Sequence, residues 1–145
     1  MSEEDLSLMD VGIADPEVAA VRRPPQSIES EQSVLGGLML DNNAFDLVAD
    51  VLVPDDFYRR DHRIIYEKIQ EMCSAGRPAD IVTVYGELDA EGKSQEVGGM
   101  AYLNSLVNST PAASNIRRYA EIVRDRSILR QLITAGEEIA TSALS

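Results

Sequence analysis

From Ile28 onward, apolar residues return at intervals of three and four, the period of helices that bury one face. Ser27 is placed to cap the first of them: its hydroxyl can accept from a first-turn amide, and Glu29 and Glu31 favour the positive end of the dipole. Ile28, Leu35, Leu38 and Met39 form its apolar side. Gly36 and Gly37 sit mid-helix, where each costs up to ~1 kcal/mol relative to Ala. Close approach of another helix would compensate; the alternative is a break at the pair. Asp41, Asn42 and Asn43 form a turn and cap, Ala44, Leu47, Val48 and Val51 follow at helical spacing, and Pro54 stops that helix.

Phe57 follows the acidic pair Asp55 and Asp56. Asp61 is placed to cap a helix on which His62, Ile65, Ile69 and Met72 share a face, ended by Gly76 and Pro78. DIVTVYGEL, residues 80–88, is ambiguous: Val and Ile favour a strand, yet Ile81, Val84, Tyr85 and Leu88 repeat at helical spacing. A lone strand would have no partner for its edge groups, so the pattern is read as a short helix capped by Asp80 and weakened by Gly86. A charged, glycine-rich loop fills 89–99. A helix is expected over Met100–Asn108, with Tyr102, Leu103, Leu106 and Val107 packing, and Thr110 and Pro111 turn the chain.

The last element outgrows the rest. Ser114 offers an N-cap, and Ile116, Tyr119, Ala120, Val123, Leu129, Leu132, Ile133, Ile139 and Ala140 continue the pattern, with Gly136 a place to bend. Asn115 to Thr141 would span ~40 Å, against ~14 Å for the helix before it. A short helix cannot cover a long one. Either the preceding elements wrap over the surplus or another chain does, and the excess length favours another chain. Adjacent apolar positions replace a sustained heptad seam, which suits a hairpin bundle.

A chain of 145 residues builds one domain with room for a small subdomain. With no Trp and only two Phe, aliphatic residues must fill the core. The net charge of −12 argues against phosphate-backbone binding as the chief task. It is unevenly spread: residues 1–21 hold six acids and no base, while the long helix carries Arg117, Arg118, Arg124, Arg126 and Arg130. Residues 1–23 are expected to be a flexible acidic segment. Cys73 is the single cysteine, excluding an intrachain disulfide. The acidic start and the lack of an apolar run near ~20 residues point to a cytoplasmic protein without a membrane span.

The candidates for chemistry are thin. AEGKS at Ala90–Ser94 echoes a phosphate-binding loop, but Glu87 stands where its first glycine belongs and no strand leads in. His62 could serve as a general base, yet it shares a face with core residues. Cys73 has no partner at metal-ligand spacing. The arginines admit a weak single-stranded DNA reading, although Glu121 and Asp125 interrupt them and Tyr119 is the lone aromatic among them.

Five ordered blocks are more specific than any of these: IESEQSVLGGLMLDN (28–42), DFYRRDHRIIYEKI (56–69), RPADIVTVYGEL (77–88), GGMAYLNSL (98–106) and NIRRYAEIVRDRSILRQLI (115–133). Together they resemble the N-terminal domain of the bacterial replicative DNA helicase family, the DnaB type. The resemblance implies an all-α fold, a compact multi-helix head over 24–97 followed by a helical hairpin over 98–145. It implies a non-catalytic collar that pairs through its hairpins, a dimer in isolation and a trimer of dimers in the hexamer. It also implies docking of the primase C-terminal domain and contact with the helicase loader.

Carried onto this sequence, self-association falls on Tyr102, Leu106, Ile116, Tyr119, Val123 and Leu129, and the fold of the head on Gly36, Gly37, Phe57, His62 and Tyr66. No catalytic, cofactor or metal residue is implied here, since ATP and Mg belong to an ATPase domain further C-terminal that this sequence does not contain. TPAASNI at 110–116 departs from the family's usual TPSAANI, and Gly86 replaces a better helix former. Two other readings stay open: a module contacting single-stranded DNA, and a small enzyme centred on His62.

Overall fold

The computed structural model describes residues 23–110 and 115–145, and every regular element among them is helical. The order is α1 (Ile28–Leu40), a 3-10 turn (Asn42–Ala44), α2 (Phe45–Val48), a second 3-10 turn (Pro54–Asp56), α3 (Arg60–Ser74), α4 (Ile81–Ala90), α5 (Gly99–Ser109) and α6 (Ile116–Leu144). The acidic segment up to Arg22 and the cap expected at Ser114 lie outside the described residues.

α1 is the central helix, with α3, α5 and α6 packed against it. Ser27 caps it as expected, accepting from the Ser30 amide. It runs unbroken through Gly36 and Gly37, and the reason is proximity. A Cβ on Gly36 would lie 2.3 Å from the Leu106 carbonyl oxygen and 2.1 Å from Thr110 Oγ1 at the end of α5. Burial of Val34, Leu35 and Leu38 against α5 and α6 offsets the low helix propensity of the pair.

Elsewhere the local expectations meet small adjustments. Asp61 does not cap α3: the helix begins one residue earlier, and its carboxylate accepts the His62 amide and holds Arg59. Leu47 faces solvent while its neighbour Phe45 turns inward. Residues 81–88 are helical, closed by a capping box in which Asp80 accepts the Thr83 amide and Thr83 Oγ1 accepts the Asp80 amide. Asn42 stitches α1 to the loop before α4, donating to Leu38 and Ala79 carbonyls and accepting the Ala79 amide.

A single core crosses the expected division at 97/98. Leu103 and Leu106 of α5, and Ile116, Ala120 and Val123 of α6, join Val34, Phe57, Ile65 and Tyr66 within it. The head therefore takes in α5 and the first three turns of α6. α6 is 29 residues, about 43 Å against about 16 Å for α5, and passes Gly136 without interruption.

Candidate assembly surface

α6 changes sides partway along its length. Its buried residues Ile116, Ala120, Val123 and Ser127 recur at helical spacing and make one line against the head. Continued past Ser127, that line meets Arg130, Gln131, Thr134 and Glu138, all polar. The apolar residues of the second half, Leu129, Leu132, Ile139 and their neighbours, centre roughly 180° around the axis. On that far side the first half shows Arg118, Glu121 and Asp125.

No described residue covers the far-side stripe. Ile128, Leu129, Leu132, Ile133, Ile139 and Leu144 are 40–89% exposed, and residues 131–145 are all exposed. Leu129, Leu132, Gly136, Ile139 and Ala143 alternate at three and four, a short seam whose small members admit a close neighbour. Fully enclosing one Leu or Ile contributes roughly 1.5–3 kcal/mol. A partner covering four of them offsets much of the ~4–15 kcal/mol that association costs.

Asp56 and Arg130 root this helix in the head. Asp56 is 2% exposed; its Oδ2 accepts the Val53 amide, and its Oδ1 accepts from Arg124 at 2.7 Å and Ser127 at 2.8 Å. Arg130 donates to the carbonyl oxygens of Pro25 and Asp56. Arg117 donates to the Leu47 carbonyl and pairs with Asp50. Three of the five arginines are thus spent on the chain itself.

Of the six expected contact residues, Leu106, Ile116 and Val123 are each 1% exposed inside the chain's own core, where no partner can reach them. Tyr102 and Tyr119 are half-buried and Leu129 is exposed. The richer surface, Leu132, Ile133, Ile139 and Leu144, carries a signal the sequence did hold: the roughly half turn by which its stripe departs from the line through Ile116 and Val123.

The head residues behave as packing. Phe57 and Tyr66 are fully buried with ring centres 4.9 Å apart, and Tyr66 donates to the Leu52 carbonyl; burial raises its phenol above the ordinary value. His62 is fully buried and both ring nitrogens are engaged, Nδ1 with Glu31 and Nε2 with the Tyr102 hydroxyl. Such a ring ties α1, α3 and α5 together and offers no face to a substrate. The AEGKS loop is the end of α4: the Glu91, Gly92 and Lys93 amides bond back to Glu87, Asp89 and Leu88 instead of pointing outward, and Ser94 is held by Asp89. Cys73 is half-buried at the end of α3, its thiol pushed up by burial.

Known proteins resemble both the sequence and the shape. A family profile described as DnaB-like helicase N terminal domain matches residues 23–125. Replicative DNA helicase DnaB of Haemophilus influenzae is 45% identical over 132 residues, 91% of this chain and 28% of that protein. Replicative DNA helicase DnaC of Bacillus subtilis is 48% identical over 119 residues, 82% and 26% respectively. The chain thus spans about a quarter of the length of these relatives. The crystal structure of the N-terminal domain of DnaB helicase from Mycobacterium tuberculosis superposes with a TM-score of 0.82 at 41% identity, covering 85% of this chain and 89% of that one. A DnaB-like replicative helicase, solved in a study of its interactions with primase, gives a TM-score of 0.71 at 22% identity over 80% of this chain and 27% of that one, a likeness of fold alone.

Proposed function

The chain belongs to the DnaB-like helicase N-terminal domain family, and on that premise we propose that it acts by holding partners together and performs no chemistry of its own. Its head, through Ser127, shares one core; the rest of α6 is a stalk whose far side takes up another helical surface. In a full-length helicase that contact would pair chains, and three pairs would close the collar of a hexamer. The observation that carries the reading is the switch of the apolar stripe to the side away from the head. A helix serving only its own domain has no use for apolar side chains there.

Pairing through apolar stalks would leave the charged heads outward, where rims of opposite charge set register. The primase C-terminal domain is the proposed second partner and the helicase loader a third. Holding primase on the collar raises its concentration where the unwound strand emerges. Translocation and ATP hydrolysis would fall to residues outside this sequence. Among the described residues no helix is long and apolar enough to cross a membrane.

Sedimentation equilibrium at several concentrations tests self-association, with Leu132→Glu as the control. A parent chain that stays monomeric at the highest concentration defeats the pairing. Co-sedimentation with the primase C-terminal domain tests the second partner in the same instrument.

A further inference from the structure

The stalk leaves the head at Arg130. Its Nη1 donates to the Pro25 carbonyl oxygen at 2.7 Å and its Nη2 to that of Asp56 at 2.8 Å, while the guanidinium carbon stands 5.3 Å from the centre of the Tyr58 ring. The segment entering α1, the second 3-10 turn and the approach to α3 therefore meet on one side chain. Ser127, one turn earlier, is the last buried residue of α6, and every residue after Arg130 is exposed.

Open clefts flank this point on both sides. One, of about 460 Å³, lies among Asp55, Gln131, Thr134 and Glu138; the other, of about 500 Å³, among Arg23, Tyr58, Ile133 and Glu137. α6 is held along Ile116–Ser127, but past that point it has space on either side and bends unless its last contact with the head fixes its direction. A planar guanidinium bonded to two carbonyls does fix direction, because both bonds hold only over a narrow range of angles. The lever is long. From Arg130 to the end of α6 is about 21 Å, so a tilt of about 20° moves the tip by about 7 Å. Apolar contact needs heavy atoms within about 4.5 Å.

We propose that Arg130 is a positioning residue for assembly: it sets the angle at which the stalk leaves the head, and so where the apolar stripe is presented. The inference rests on the assembly reading above, but its geometry lies within one chain.

Spin labels on cysteines introduced at Val82 and Ser142, in a Cys73→Ala chain diluted into unlabelled protein, report the head-to-stalk distance by double electron–electron resonance. The parent gives one narrow distribution. Arg130→Met, which keeps the stem but loses the donors, broadens and shifts it, weakens self-association roughly tenfold and leaves helix content by circular dichroism in place. Arg130→Lys, with a single ammonium for two carbonyls, falls between. Leu132→Glu loses association with the distance distribution of the parent, which separates a failure of the assembly surface from a failure of the latch. A Met variant as narrow as the parent at the same distance overturns the proposal; should that variant unfold, the Lys variant decides by the same criterion.

Discussion

Glu31 and His62 meet inside the head, Oε1 to Nδ1 at 2.7 Å, with the carboxylate 1% and the imidazole 0% exposed. Tyr102 closes the other side of the ring at 2.6 Å from Nε2, and Gln32 Nε2 donates to the same hydroxyl. The arrangement that satisfies every group has Tyr102 O–H donating to Nε2 and Nδ1–H donating to Glu31. His62→Ala strips Glu31 to the amides of Tyr58 and Arg59 and leaves a cavity beside a buried carboxylate. The expected cost is about 3 kcal/mol of stability, read from urea unfolding. An unchanged midpoint would show that the pair does not hold the head.

Two glycines in helices should respond in opposite directions to the same change. Gly36→Ala forces a methyl into the Leu106 carbonyl, which is backbone and cannot turn away, so α1 and α5 must part. That overpacking should cost about 1–3 kcal/mol. Gly86→Ala meets nothing within 4 Å on the outer face of α4. It should stabilise by up to about 1 kcal/mol through helix propensity. Thermal unfolding of the two variants side by side checks both signs.

This contrast also shows how far a sequence can be read. Helical spacing found all the principal helices, and the cost of Gly36 in mid-helix announced a close neighbour without naming Leu106. Polar signals were equally local: Ser27 and Asp80 cap where their positions said they would. What spacing did not reveal was which side of a long helix meets the chain's own core. Val123 and Leu132 are apolar residues of one helix, yet one is buried and the other 62% exposed. That depends on Asp56 and Arg130 fixing the rotation and reach of α6, and those contacts join residues about 70 and more positions apart. The partners of His62 were out of reach for the same reason, since Glu31 and Tyr102 lie on other helices.

Stability should form a plateau bounded by ionic contacts on both sides. The Thr83 amide bonded to Asp80, and the Lys68 ammonium bonded to Glu91, hold these carboxyls below their ordinary values. Groups depressed in the folded state contribute stability above their unfolded pKa and lose it as pH falls through the folded one. Decline is therefore expected below the ordinary carboxylate range, and Glu91→Gln should flatten it. For Lys68, burial opposes the ammonium, but Glu91 and Glu71 outweigh it and its pKa is raised; burial likewise raises the Tyr66 phenol. Raised groups contribute fully below their unfolded values, so loss on the alkaline side begins near the ordinary tyrosine and lysine range. Urea midpoints across pH trace both limbs.

Val123 and Leu132 provide the sharpest division between folding and assembly, because both are apolar residues of α6 placed on different sides of it. Val123→Glu puts a carboxylate into the core beside Ile116 and Ala120, where it has no partner, and should unfold the head or cost several kcal/mol. Any loss of association in that variant would say nothing about a surface. Leu132→Glu places the same charge in solvent on the isolated chain, so its unfolding midpoint should match the parent. On pairing, that carboxylate would be buried against another apolar stalk, and association should weaken by at least about tenfold, equivalent to ~1.4 kcal/mol. Sedimentation equilibrium and urea unfolding on the same samples separate the two effects. Should Leu132→Glu associate as the parent does, the partner does not sit on the far side of the stalk, and the exposed stripe needs another explanation.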